Sequence, residues 1–198
     1  MPDASQQVRK NRILTLALLC LLLCFRASAA TLEGQEFEDT VHLGGREITL
    51  NGLGVRKMFF IKAYVAGLYL SEKARTAGEL AIISGPKRLQ LHMLRKASSD
   101  DFNDALVAGI RDNASTGEKI ELAERLNQLE LTIRTIGGAA KGDVITLDYI
   151  PELGTRLAIN GAKHGKLIAG ADFYAAVLAL FVGNKPVDSQ LKKALLGK

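Results

Sequence analysis

Asn51-Gly-Leu-Gly-Val-Arg56 leads through Lys57 into Met58-Phe-Phe-Ile-Lys-Ala-Tyr-Val-Ala-Gly-Leu-Tyr-Leu70. Two closely spaced glycines deliver an arginine to the start of an almost wholly apolar run. Burying an unpaired charge is costly, so Arg56 is either turned to solvent or matched to an anion. The apolar run reads as one long strand, Met58 to Leu70, central in a sheet because neither face is polar. With regular alternation, Arg56, Met58, Phe60, Lys62, Tyr64 and Ala66 share a face, and a bulge near Lys57 would break that phase. Tyr69 then lies on the opposite face, and Lys62 reads as a lysine snorkelling at a sheet margin.

On the N-terminal side, Glu36 to Leu43 and Arg46 to Leu53 read as two strands joined by Gly44-Gly45, a two-residue hairpin signal. Lys87 to Leu94 alternates apolar and polar residues as a further strand, after a short helix over Thr76 to Ser84. Ser98-x-x-Asp101 and Ser115-x-x-Glu118 are capping-box patterns that open two helices. Phe102, Leu106 and Ile110 line one face of the first. Leu122, Leu126, Leu129, Ile133 and Ile136 line the second, which Gly137-Gly138 ends. The stretch from Leu129 to Ile133 also alternates like a strand.

The chain then returns to strands at Asp143 to Tyr149, Thr155 to Ile159 and, after the Asn160-Gly161 turn, Lys166 to Ala169. An apolar helix from Asp172 to Val182 stops before Pro186, and Asp188 or Ser189 caps a last short helix ending near Leu196. Strands in front, helices in the middle and a hairpin behind give an α+β domain, an antiparallel sheet with helices on one face. No internal repeat or long linker divides it.

Ahead of the domain, Arg9, Lys10 and Arg12 precede an apolar run from Ile13 to Phe25 and a small-x-small site at Ala27-Ser28-Ala29. That is the pattern of a cleaved secretory signal over residues 1–29. The run is shorter than the roughly 20 residues that span a bilayer, so no stable membrane span is expected after cleavage. The remaining 30–198 are a comfortable single domain. Export places it in the periplasm of a Gram-negative source and otherwise outside the cell. Both cysteines, Cys20 and Cys24, leave with the signal, so the domain holds together without disulfides. The net charge of +5 falls to about +2 once the signal's basic residues are discounted. No basic tract interleaved with aromatics remains, which argues against nucleic-acid binding. His42, His92 and His164 are scattered without ligand spacing, so no metal and no other cofactor is expected. No nucleophile elbow supports Ser/His/Asp catalysis.

Gly52-Leu-Gly54-Val-Arg56, followed by Lys62-Ala-Tyr64-Val-Ala-Gly67-Leu-Tyr69-Leu70, resembles the core motif of the chalcone isomerase-like family, and more narrowly its exported bacterial branch. Lys141-Gly142-Asp143, Gly154-Thr155, Asn160-Gly161, Gly170-x-Asp172-Phe173 and Val182-Gly183-Asn184 follow in the order that family shows. The resemblance implies an open-faced β-sandwich with a cleft between sheet and helices. It puts the family's cleft arginine at Arg56, and Tyr64 where the catalytic branch has a threonine on the following strand. The catalytic branch also uses a tyrosine and an asparagine on the first long helix, and Phe102 and Gly109 fall there. Neither side chain has a donor, so most groups that would stabilise a developing enolate are missing.

The family's fatty-acid-binding members then supply the leading expectation. The domain is a non-catalytic carrier of a small amphipathic carboxylate, Arg56 and Tyr64 holding the head group and Phe102 and Leu106 walling an acyl chain. A guanidinium fork suits a carboxylate, and each buried methylene adds about 0.8 kcal/mol. The alternatives are an intramolecular lyase on an unidentified enone, and a haem-binding or structural envelope protein.

Overall fold

Gly44 (φ 58°) and Gly45 (φ 76°) turn the chain between β3 (Thr40–Leu43) and β4 (Arg46–Met58), a left-handed pair that costs glycine nothing. The computed structural model describes residues 29–198, so the expected signal segment lies outside the described residues apart from Ala29. Before β3, the expected strand from Glu36 to Leu43 is two pieces. β1 (Ala29–Leu32) and β2 (Gln35–Glu38) form their own hairpin, and the chain breaks at Asp39.

The expected long strand from Met58 to Leu70 is also divided. β4 ends at Met58, the chain reverses through Phe59-Phe60, and β5 (Ile61–Leu70) returns beside it. No Gly, Pro, Asn or Asp marks this turn, which is why the apolar run reads as continuous. A register shift lies between Arg56 and Lys57, so the regular alternation expected from Arg56 to Ala66 is broken there. Arg56 and Tyr64 thus sit across from each other on adjacent strands.

The remaining elements are α1 (Ala77–Ile82), β6 (Lys87–Met93), β7 (Ala97–Ser98), α2 (Ser99–Asn113), α3 (Thr116–Ile136), β8 (Gly138–Ala139), β9 (Val144–Ile150), β10 (Gly154–Ile159), β11 (Ala162–Ile168), α4 (Ala171–Val182) and α5 (Ser189–Leu195). Both capping boxes form, at Ser98/Asp101 and Ser115/Glu118. Gly137 ends α3 in the left-handed conformation (φ 84°), and Leu129 to Ile133 stays helical. β11 starts earlier than Lys166, directly after the Asn160-Gly161 turn.

Seven antiparallel strands pair in the order β11-β10-β9-β6-β5-β4-β3. Ala66, Leu68 and Leu70 of β5 face the main core with Leu89, Leu91, Ile145 and Leu147, under α2, α3 and α4. The opposite face carries Val65 and Tyr69, covered by Phe37 of the N-terminal hairpin. A Cβ on Gly67 would lie 2.7 Å from the Phe37 ring, so this glycine lets the hairpin lie flat. This is the open-faced β-sandwich, α+β in content.

One end of the sheet is closed by α5 on β4. A Cβ on Gly52 would collide with the Ala194 carbonyl oxygen, and one on Gly54 would meet the Ala194 Cβ at 2.7 Å. Asn51, buried, donates to the carbonyls of Ala74 (2.8 Å) and Leu195 (2.7 Å) and accepts from Ala74 N–H. The glycines therefore provide the flat surface on which α5 rests, and Asn51 fixes its end. Gly52→Ala is expected to cost about 1–3 kcal/mol in urea unfolding, because backbone rather than a pliant side chain must move. Gly117→Ala, in open space on α3, should be neutral or stabilising by about 0.4–1 kcal/mol in the same measurement.

On the hairpin side, His92 stacks on Phe37 (ring centroids 4.1 Å apart) and contacts Gln90 Nε2 at 2.8 Å. Burial holds its imidazole below the ordinary value. The unfolded chain therefore takes up this proton first, so the His92 contribution is fully present above about pH 6.5 and fades as pH falls below it. Urea midpoints should drop between about pH 7.5 and pH 5.5, above the carboxylate range, and His92→Gln should flatten that segment.

Candidate functional site

Arg56 and Tyr64 face each other across β4 and β5, so alternation sends both side chains to the helix-covered face, with Met93 next to Tyr64 on β6. Arg56 is only 19% exposed, too little for a freely solvated arginine. Its Nη1 donates to the Lys57 carbonyl and reaches Asp188 Oδ2 at 3.4 Å. Its Nε and Nη2 have no partner among the described residues.

Two other arginines show what full pairing looks like here. Arg88 holds Asp148 through Nε and Nη2, both at 2.6 Å. Arg125 holds Asp172 through Nη1 and Nη2 at 2.8 and 2.6 Å. These are bidentate, charge-assisted pairs. Arg56 has one long contact to its carboxylate and spare donors.

Asp188 is the residue that sequence reasoning left out of the site. It was legible only as a helix cap, and it is one. Oδ1 accepts from the N–H groups of Gln190 (2.8 Å) and Leu191 (3.1 Å), while Oδ2 accepts from Lys57 N–H at 3.2 Å. Burial raises its carboxyl, but the backbone donors and Arg56 outweigh that and hold it below the usual value. Most of what steadies Asp188 is thus backbone, and Arg56 is its weakest partner.

Tyr64 is partly buried and packs against the main core. Burial drives its hydroxyl well above the ordinary value, Arg56 opposing and Asp188 reinforcing. The phenol stays neutral at any physiological pH and remains a hydrogen-bond donor. Among the described residues its hydroxyl has no hydrogen-bond partner. Lys62 does not join this group. It pairs with Glu33 of the N-terminal hairpin at 2.6 Å. Tyr69 is fully buried on the opposite face, and burial pushes its hydroxyl up to about 12.

Phe102 and Leu106 lie on the face of α2 that turns toward the main core. Leu106 is core, and Phe102 lines a gap of about 10 Å³ with Ile133, Ile145 and Leu157. This gap sits over β9 and β10, two strand spacings or about 10 Å from β5. The structure therefore brings Arg56 and Tyr64 together and leaves Phe102 across β6 from them. A Cβ on Gly109 would collide with Leu180 Cδ1, so α2 and α4 meet there in contact. An asparagine at that position would have to displace the buried Leu180 side chain.

A larger cavity, about 520 Å³, opens at the other end of β6 between α1 and α4. Leu80, Ile83, Leu178 and Val182 supply apolar walls, and Tyr149, Tyr174 and Lys87 line it. Lys87 is 8% exposed, its Nζ donating to the carbonyls of Ile83 (2.5 Å) and Gly85 (3.4 Å) and lying 5.3 Å from the Tyr149 ring centroid. Burial lowers its ammonium from the ordinary value, and no carboxylate pairs with it among the described residues. The alternation of Lys87 to Leu94 gave no sign of this role. Among the described residues no cluster of three or more His, Cys, Asp or Glu could hold a metal, and no helix is long and apolar enough to cross a membrane.

The profile of the family described as chalcone isomerase-like matches residues 29–197. No curated protein matches the chain in sequence. Among solved structures, a fatty-acid binding protein from Arabidopsis thaliana is similar, with a TM-score of 0.63 at 15% identity, covering 85% of this chain and 96% of that one. At that identity the likeness shows the fold. Gly109→Asn should cost about 1–3 kcal/mol by forcing Leu180 aside. Phe102→Tyr, at a half-buried position, should leave the urea midpoint nearly unchanged.

Proposed function

Because the chain belongs to the chalcone isomerase-like family, we propose that it is a non-catalytic binding protein for a small amphipathic carboxylate such as a fatty acid. The observation that carries this is the incomplete pairing of Arg56, whose guanidinium has donors to spare beside a neutral Tyr64 hydroxyl. A ligand carboxylate takes the fork of Arg56 in place of the 3.4 Å contact to Asp188 and accepts from Tyr64 as well. Asp188 keeps its backbone donors when this happens, so the exchange costs the fold little. The acyl chain runs under α2 toward Phe102 and Leu106. The gap of about 10 Å³ beside Phe102 requires α2 to shift outward to admit it. The fatty-acid binding neighbour in the same fold supports the ligand class. Phe102 and Gly109, without donors where the catalytic branch has them, support a role in binding rather than turnover. The N-terminal pattern supports export and membership of the exported bacterial branch.

A second placement of the same carboxylate is favoured by Lys87, a buried cation without a carboxylate partner at the wall of the 520 Å³ apolar cavity. That volume falls within the usual range for small-molecule sites. The two placements separate by mutation. If Arg56 holds the head group, Arg56→Ala weakens binding of a medium-chain fatty acid by about 1.5–3 kcal/mol in calorimetry, the worth of a hydrogen bond to a charged group. Lys87→Met then has no effect. The reverse pattern moves the site to the α1–α4 cavity. Protein purified from cells should also release a carboxylate lipid on extraction, detectable by mass spectrometry. Absence of binding in both assays rejects the carrier function.

A further inference from the structure

The turn between β4 and β5 puts apolar side chains where water is most accessible. Met58 is 51% exposed, Phe59 98%, Phe60 102% and Ile61 44%. Single exposed apolar residues are ordinary, but four in succession at the tip of a hairpin are not. The turn is also built against backbone preference. Phe59 has φ 55°, a left-handed conformation that a bulky side chain adopts only with strain. The same chain makes its β3–β4 turn with Gly44-Gly45 and its β10–β11 turn with Asn160-Gly161, residue types that enter the left-handed region readily. Glu33 and Glu152 also take left-handed φ, but as exposed polar residues, whereas Phe59 and Phe60 expose their whole apolar side chains and add no burial to the fold.

Cations surround it. Lys57 and Lys62 are cross-strand partners immediately behind the tip, and both are exposed. Leu94 N–H bonds the Ala63 carbonyl at 3.0 Å, which sets the exposed Arg95 and Lys96 at the same end of the sheet. Gly142 N–H bonds the Met93 carbonyl at 2.8 Å, which brings the exposed Lys141 alongside. Several carboxylates near this end are engaged. Glu33 holds Lys62, Asp188 faces Arg56 and the start of α5, and Asp143 accepts from Ala140 N–H and Asn160 Nδ2. Asp100 pairs with Arg134, and Asp101 completes the α2 capping box. Lys57, Arg95, Lys96 and Lys141 have no carboxylate partner among the described residues.

We propose that this hairpin tip docks on an anionic lipid bilayer, Phe59 and Phe60 entering the interface while Lys57, Arg95, Lys96 and Lys141 meet the phosphates of the headgroups. Apolar side chains that reach about 5–10 Å into the boundary, collared by basic residues, are the general chemistry of interfacial attachment. A two-residue turn is a narrow convex wedge. It does not offer the roughly 800 Å² that each partner contributes to a standard protein–protein interface. The inference is independent of the carrier function. It does put Arg56 and Tyr64 directly behind the membrane contact.

The chain contains no tryptophan, so Phe60→Trp, at a fully exposed position, supplies a unique fluorescent reporter. Vesicles of phosphatidylcholine with about 30% phosphatidylglycerol and brominated acyl chains should blue-shift and quench the introduced indole. Lys57→Glu in the same background should weaken the partition about fivefold or more, and raising salt from about 0.1 to 0.5 M should release the protein. Ile120→Trp, on the exposed face of α3, should stay unquenched under identical conditions, which separates docking by the tip from adsorption through any other segment. A folded Phe60→Trp protein whose emission is not quenched overturns the proposal. Equal quenching on pure phosphatidylcholine, unaffected by salt, overturns its anionic part. A tip indole shielded from iodide without lipid, with a dimer that disappears in the Phe59→Ser/Phe60→Ser variant, shows instead a contact between protein chains and overturns it too.

Discussion

The contact of α5 with β4 is the constraint from which the candidate site follows. Asn51, Gly52 and Gly54 lie along the stretch of β4 that α5 covers. The two glycines remove the side chains that would collide with Ala194 and Leu191, and Asn51 bonds the carbonyl of Leu195. With the helix seated there, its N-cap falls just beyond Gly54. That is where Arg56 stands. The ion pair of Arg56 and Asp188 is thus a consequence of packing, and its length reflects a cap already committed to backbone N–H groups.

This geometry explains how one arginine can be both structural and available. A fully bidentate pair, such as Arg88 with Asp148, leaves nothing for a ligand and resists removal. A buried arginine with no partner would be prohibitively costly. Arg56 lies between these limits. Asp188 supplies enough negative potential to keep the charge in a largely buried position, while spare donors remain beside the Tyr64 hydroxyl. Lys87 meets the same problem differently, through carbonyl oxygens and the face of Tyr149.

The fold was legible wherever local chemistry is self-contained. Ser98 and Ser115 announce their helices through capping boxes, Gly137 ends α3, and Gly44-Gly45 and Asn160-Gly161 mark turns, because each device acts within a few residues. The β4–β5 turn was not legible, since Met58-Phe-Phe-Ile61 has the composition of a strand interior and none of a turn. Nor was the β1–β2 hairpin, whose role is set by burial of Phe37 against Gly67, far along the chain. In the site, Arg56 and Tyr64 could be proposed from their motif. Asp188 could not be joined to them, because a separation of 132 positions is bridged only once the helix lies on the strand. The missed signal was in the glycines. Gly52-x-Gly54 in a strand reports the close approach of another element, and the short helix capped by Asp188 was the candidate to fill it.

The most direct test of the account is the affinity of the Asp188→Asn variant for a medium-chain fatty acid, measured by calorimetry. Asparagine remains a good helix cap, so α5 stays in place while the internal competitor for Arg56 loses its charge. Tighter binding than in the unaltered protein, several-fold at near-neutral pH, is the result expected if ligand and Asp188 share one guanidinium. Unchanged affinity in a folded Asp188→Asn protein would contradict it, and Arg56 would then be a packing residue only.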